Sequence, residues 1–437
     1  MLLNGFREFP LRNTPMRLAT LLLALFSTSS TQASPVPYQT ADALGGLTFN
    51  QPLGLAEIPA QSDRLLVLEK NGTVQLVTGL RANQPRKQLF FDLTQPRDGK
   101  FEKGGECGLL GLAVHPRFAE NHQIYVYYSL KIAGKLHQRL ARFKVTPTDL
   151  GQVDVASEQP LITQLDPAGN HNGGDVHFGP DGYLYFSCGD GGAGGDAFDH
   201  GGHIDKGFFA AIFRIDVDRQ PGNLRPNNDP AVHLDAQGEA FYAVPADNPF
   251  IGTRAHRGKP VDPLKLRTET WATGLRNAWR FSYDAPSLTW MTGDVGQNLI
   301  EEINILKPGQ DYGWPLREGK QAFGQAQPRA GLAEPIADYD HKLGVSVTGG
   351  IIYRGSALPE LSGTYIFADF ASGRIFALPP KSAGHFTEIA KEPNAVVSFG
   401  RNPADGELLF CNLVSGQVRR LARKLRGPAS AENLAKT

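Results

Sequence analysis

Four short segments of this chain hold the residue types that catalysis needs. The first is GGECGLLG at 104–111, where glycines let the backbone approach a ligand closely and Glu106 supplies a carboxylate. The second is His171, flanked by Asn170 and Asn172; a neutral imidazole is the natural proton acceptor near neutral pH. The third is GLRNAWR at 274–280, where the adjacent Arg276 and Asn277 offer a guanidinium fork and an amide to a carbonyl, an oxyanion or a carboxylate. The fourth is GDVGQNLIEEIN at 293–304, followed by DYGWP at 311–315. It gathers the side chains of Asp294, Gln297, Glu301, Glu302, Asn304 and Asp311 beside glycine carbonyls, and hard oxygen donors without Cys or His suit Ca²⁺. Each segment also has a plain structural alternative: a glycine-rich turn, a core histidine, an arginine capping a sheet, a solvated acidic loop.

The elements that position these groups are hairpins. Residues 171–192 (HNGGDVHFGPDGYLYFSCGDGG) show the unit in full. Val176 and Phe178 alternate, a Pro-Asp-Gly turn follows, and Leu184 and Phe186 alternate on the return. His171 stands before the first strand and the Gly-Asp-Gly-Gly loop stands after the second, so both point to one edge. Weaker copies occupy 54–77, 111–129, 274–296, 349–378 and 398–421, each opening on glycine or serine and apolar residues. Six such units predict an all-β six-bladed β-propeller, in which no blade buries its own faces alone. A sandwich or barrel is the competing architecture. The 49 glycines and 31 prolines in 437 residues, with little helical periodicity, agree with a turn-rich β fold.

Residues 1–33 read as a signal peptide: Arg7, Arg12 and Arg17, then LATLLLALF at 18–26, then small residues ending at Ala33. The propeller is expected over 34–423 and a polar tail over 424–437. The apolar run is too short to span a bilayer, so the expectation is an exported protein, periplasmic or extracellular, without a membrane span. Lys and Arg total 44 and Asp and Glu total 44, with no polybasic run, which argues against nucleic acid and for a neutral or small ligand. Of the three cysteines, Cys188 and Cys411 fall on apolar strands, while Cys107 and Cys188 would pair if adjacent blades brought them together.

Taken in order, the segments GGECGLLGLAVHP, HNGGDVHFGPDGYLYFSCGDGG, IFRIDVD, DNPF, GLRNAWRFSYD, GDVGQNLIEEIN, DYGWP and GGIIYRG resemble the soluble glucose/sorbosone dehydrogenases. These are six-bladed propellers that use pyrroloquinoline quinone (PQQ) and Ca²⁺ to oxidise aldose sugars. The wording RNAWRFSYD and DVGQN is similar to the branch that includes Hedgehog-interacting-protein-like propellers. The resemblance implies that His171 is the base that takes the proton of the anomeric hydroxyl while hydride passes to the quinone C5. It implies that Arg276 polarises the quinone carbonyl and that Asn277 is a neighbouring quinone contact. Gly296 and Gln297 fall where backbone carbonyls hold the Ca²⁺ that bridges to the quinone, and Glu301, Glu302 and Tyr312 fall in the segment of a second, structural Ca²⁺ site. There are departures. Glu106 stands where the family has a glutamine contact to the quinone, and Asn170 stands where an aspartate precedes the base. A cofactor-binding lysine aligns near Ala371, and two arginines that clamp the quinone carboxylates align near Val396 and Ser398, with Arg401 as a substitute for one of them. Three functions follow for comparison: a quinone-dependent sugar dehydrogenase, a non-catalytic propeller that binds carbohydrate or a protein, and a Ca²⁺-dependent hydrolase or lactonase.

Overall fold

Short apolar strands dominate the structure, a computed structural model that describes residues 37–82, 84–146, 152–326, 329–393 and 395–424. The signal peptide expected at 1–33, and the expected polar tail beyond Lys424, lie outside those residues. The strands pair into six antiparallel blade sheets, five of four strands and one, blade two, with the short strand Lys100–Phe101 as a fifth, and two small two-stranded ribbons lie outside them. From the innermost strand outward, blade one is Pro52–Glu57, Arg64–Glu69, Thr73–Thr78 and Arg86–Asp92. Blade two is Leu109–Val114, Gln123–Ile132, Lys135–Val145 and Val153–Leu165. Blade three is Val176–Phe178, Leu184–Cys188, Ala211–Ile215 and Thr270–Thr273, and blade four is Ala278–Asp284, Thr289–Asp294, Ile300–Leu306 and Ala337–Asp340. Blade five is Val347–Ile352, Tyr365–Asp369, Arg374–Leu378 and Thr387–Lys391. Blade six takes Val396–Arg401, Leu408–Asn412 and Gln417–Arg423, and its outer strand, Tyr38–Asp42, comes from the other end of the chain. That strand pairs with Gln417–Arg423, Tyr38 opposite Arg423 and Asp42 opposite Arg419, which locks the ring shut.

The six repeats expected from the sequence are these six blades. Neighbouring blades contact one another in succession around the ring, inner strand to inner strand except between blades three and four, where Leu184–Cys188 meets Ala278–Asp284, and blade six returns to blade one. The apolar clusters lie between blades. Leu66, Leu68 and Leu76 of blade one pack with Leu112, Ile124 and Val126 of blade two. Ile351 and Ile366 of blade five pack with Leu408 and Phe410 of blade six. Burial stabilises at about 25 cal/mol per Å² of apolar surface, and most of that gain appears only when neighbouring blades meet. The glycine at the opening of the repeat has a packing cause: a Cβ on Gly111 would stand 2.1 Å from the carbonyl oxygen of Gly174 in the next blade.

Among the described residues, helix is limited to one turn at Phe118–Asn121 and a 3-10 turn at Pro359–Leu361, and no helix is long and apolar enough to cross a membrane. All three cysteines are buried and unpaired. Cys107 and Cys188 do not bond to each other: Cys107 Sγ faces the carbonyl of Gly169 at 3.8 Å, and Cys188 Sγ faces the hydroxyl of Tyr127 at 3.4 Å.

Candidate active site

Residues at the start of each inner strand or just before it meet at one mouth of the channel, where they line a cavity of about 360 Å³. His171 precedes the inner strand of blade three, and Asp190 follows the strand paired with it. Antiparallel pairing brings those two ends to the same edge. His171 Nδ1 lies 2.7 Å from Asp190 Oδ1, and His171 Nε2 lies 2.8 Å from Arg276 Nη2. A guanidinium has no acceptor, so these partners assign the lone pair to Nε2 and the proton to Nδ1, which donates to Asp190.

Asp190 is only 1% exposed and also accepts the N–H of Gly192 at 3.0 Å and the indole N–H of Trp314 at 2.9 Å. The backbone at His171 is left-handed, with φ of 57°. A non-glycine residue holds such a conformation only where its surroundings over-determine it. Here the N–H of His171 donates to Glu106 Oε2 at 2.6 Å. Gly189 leaves room on the other side, since a Cβ there would stand 2.0 Å from the His171 carbonyl oxygen.

Arg276 reaches His171 from blade four. Its Nη1 donates to the carbonyl of Val295 at 2.9 Å, and its Nε and Nη2 donate to Gln297 Oε1 at 3.2 and 3.0 Å. The backbone N–H groups of Arg276 and Asn277 donate to the two carboxylate oxygens of Asp294, at 2.9 and 2.7 Å. Asn277 Oδ1 accepts the N–H of Gly173 at 3.2 Å and so ties blade four to blade three. His171, Arg276 and Asn277, far apart in the chain, therefore converge. The loop at 193–206 supports them from behind: Gly195 donates to Gln297 at 3.0 Å, and His200 Nδ1 lies 2.7 Å from the Asp190 carbonyl oxygen. The arrangement is a neutral imidazole oriented by a carboxylate, with a guanidinium capping the lone pair. When a ligand oxygen draws that guanidinium away, Nε2 is free to take a proton from a hydroxyl.

Several expected roles change. Asn170 does not leave the histidine without a charged neighbour, because Asp190 supplies one. Arg401 is not in this cavity. It lines a cavity of about 460 Å³ at the opposite mouth and pairs with Asp284 at 3.4 Å. A strand advances about 3.3 Å per residue, so five residues beyond Val396 carry the side chain roughly 17 Å along the channel. Glu301 is fully engaged: Oε1 lies 2.9 Å from His341 Nε2, and Oε2 accepts the N–H groups of Val347 at 2.8 Å and Gly296 at 3.2 Å. The Tyr312 hydroxyl donates to the Ile305 carbonyl at 2.7 Å and accepts the N–H of Lys307 at 2.9 Å, so it is structural. The side chain of Gln297 is held by Arg276 and Gly195, leaving its carbonyl as the only oxygen of that residue suited to a metal.

Asp311 pairs with Arg257, 2.7 Å from its Nε, beside His256. Although burial pushes its carboxyl up, Arg257 and His256 hold it down at about 2. A depressed carboxyl adds stability that is present above its unfolded value near 4 and is lost as pH falls through 2, here about 2 kcal/mol at ~1.4 kcal/mol per pH unit. Acid unfolding of Asp311→Asn should accordingly show lower stability at pH 7 and a flatter profile between pH 4 and 2 than the parent; equal profiles would contradict the pairing.

Glu302 differs from its neighbours. Its Oε2 is buried without a hydrogen-bond partner, and it lies directly across from Asp294 on one side and Asp338 on the other. Burial pushes Asp294 and Glu302 up; the Asp190 charge raises Asp294 further, and the Asp294 charge raises Glu302 further. Among the described residues, no three His, Cys, Asp or Glu side chains already form a metal cage.

Three contributors to the site escaped the sequence reading: Asp190, Trp314 and Lys70. The position of Asp190 in the loop that closes the hairpin was the available signal. Trp314 lies in DYGWP, but nothing in the spacing aims it at blade three.

The profile of the Glucose / Sorbosone dehydrogenase family matches residues 49–401. HIPL1 protein of Arabidopsis thaliana is 29% identical over 335 residues, covering 64% of this chain and 45% of the plant protein. The Hedgehog-interacting protein of Homo sapiens is 26% identical over 335 residues, covering 74% of this chain and 41% of the human protein. This chain thus spans less than half the length of these relatives. Among solved structures, the PQQ-bound form of an aldose sugar dehydrogenase from Streptomyces coelicolor superposes with a TM-score of 0.59 at 21% identity, covering 89% of this chain and 100% of the other, a likeness of fold.

Proposed function

Because this chain belongs to the glucose/sorbosone dehydrogenase family, we propose that it is an exported quinoprotein that oxidises aldoses or related polyols, with His171 as the base. The observation that carries this is the linked set Asp190, His171 and Arg276, of which His171 and Arg276 line a cavity of about 360 Å³ and Asp190 stands behind the imidazole. Export rests on the signal-peptide pattern at 1–33.

The donor set fits PQQ. Arg276 presents a guanidinium fork to the cavity and Lys70 adds a second cation, against the single exposed carboxylate of Glu106. One oxygen of Glu106 is engaged by the His171 N–H. When bound, the quinone supplies the acceptor for the hydride that leaves the sugar carbon. This chain's residues do the rest. Arg276 binds and orients the carbonyl-bearing ligand and, in moving to it, uncovers Nε2. His171 then takes the hydroxyl proton at Nε2, and Asp190 stabilises the resulting imidazolium through Nδ1. A Ca²⁺ ion fits the chemistry of the fourth segment as well: the Gly296 and Gln297 carbonyls would face the cofactor side, and Glu302, with its unpartnered buried oxygen between Asp294 and Asp338, would hold a structural ion.

The test is reconstitution of the protein with PQQ and Ca²⁺ and measurement of dye reduction across a panel of aldoses. Sugar-dependent reduction is expected. One observation favours a second reading, a ligand-binding propeller without catalysis: the cavity wall formed by Val347, Phe370, Val397 and Leu413 is apolar where the resemblance would place cationic clamps. That reading predicts no dye reduction and no change in the quinone spectrum.

A further inference from the structure

Lys70 sits in the Lys70-Asn71-Gly72 reversal that joins two strands of blade one, and it lines the cavity that holds His171. Its Nζ donates to the carbonyl oxygen of Lys103 at 2.6 Å, and it forms no ion pair with a carboxylate among the described residues. Burial lowers its affinity for the proton, which is the sign of an ammonium partly removed from water without a full counter-charge. The ionisable side chains lining the cavity are Lys70, Glu106, His171 and Arg276; with His171 neutral, two cations stand against one carboxylate. The far wall, from blades five and six, is apolar, with Phe370 and Val397 near the places where a lysine and two arginines would otherwise be expected. Such a cavity suits a flat ligand with an apolar body, a carbonyl at Arg276 and an anionic group at Lys70.

We infer that Lys70 binds a carboxylate of the quinone cofactor, from blade one, in place of the cationic contacts that blades five and six lack. This rests on the quinone reading above. The experiment titrates PQQ, and separately its trimethyl ester, into the Ca²⁺-loaded protein and follows quenching of tryptophan fluorescence, Trp279 being in the cavity wall. Lys70→Met should weaken PQQ binding by about 10- to 100-fold, the range of a charge-assisted bond to a carboxylate, while leaving binding of the ester unchanged. Lys70→Arg should restore most of the loss, which separates charge from misfolding. The inference alone is overturned if Lys70→Met binds PQQ like the parent, or if the ester weakens equally. If the parent itself binds no PQQ, the quinone reading falls and the inference with it.

Discussion

Replacing His171 with alanine is expected to lower kcat by about 10²- to 10⁴-fold, the contribution of a well-placed general base, while PQQ affinity changes little. The reason lies in the division of labour at the channel mouth. Arg276 has anchors besides the imidazole, at Val295 and Gln297, so the group that binds the ligand is expected to remain available in the variant. What disappears is the lone pair at Nε2, the proposed proton acceptor of this cavity. The backbone at position 171 is left-handed, which alanine tolerates poorly. His171→Asn is therefore the companion variant, since asparagine accepts that conformation; it should bind the cofactor and remain inactive. Loss of cofactor binding in both variants would contradict the base assignment.

Asp190→Asn should be nearly as damaging although Asp190 touches no ligand. Its carboxylate accepts three hydrogen bonds, from His171 Nδ1, the Gly192 N–H and the Trp314 indole. An amide offers one oxygen and must turn its NH₂ toward either His171 or Trp314. Facing His171, it forces the proton onto Nε2, where Arg276 already points a donor, and the base is lost. Facing Trp314, it leaves a buried indole N–H unpaired, a loss of about 1–3 kcal/mol of stability. The expected result is a fall in kcat of about 10²- to 10⁴-fold with KM within a few-fold of the parent. Asp190 is a positioning residue, so the decisive readout is the ¹⁵N signature of His171: the parent should carry its proton on Nδ1 and the variant on Nε2. An unchanged tautomer with full activity would remove Asp190 from the account.

How much of this was visible in the chain itself depends on sequence distance. The six blades were legible because each is local: a strand, a turn and a return strand within about 25 residues, repeated. The convergence of His171 with Arg276 was legible once blades were counted, because residues that open successive inner strands share one mouth. Asp190 was half visible, as the acidic loop at the same edge as His171. Arg401 was misplaced because closeness in sequence to Val396 and Ser398 hid the length of the strand between the two mouths. Glu301 and Asp311 were grouped as oxygen donors by composition and Tyr312 was added by the family resemblance, but hydrogen bonds to His341, Arg257 and Ile305 engage them, and His341 and Arg257 lie on elements that no local pattern connects. Lys70 was invisible for the same reason: a turn lysine looks solvated until blade one is set beside the mouth of the channel.

In the proposed reaction His171, oriented by Asp190, removes a hydroxyl proton while a bound quinone accepts hydride. The most direct measurement mixes the PQQ- and Ca²⁺-loaded protein with an aldose in the absence of oxygen and follows the absorbance of the oxidised quinone. This absorbance is expected to be lost rapidly in the parent protein and to persist in His171→Ala at equal cofactor occupancy. Loss at the same rate in both proteins, or persistence in the parent with every aldose, would contradict it.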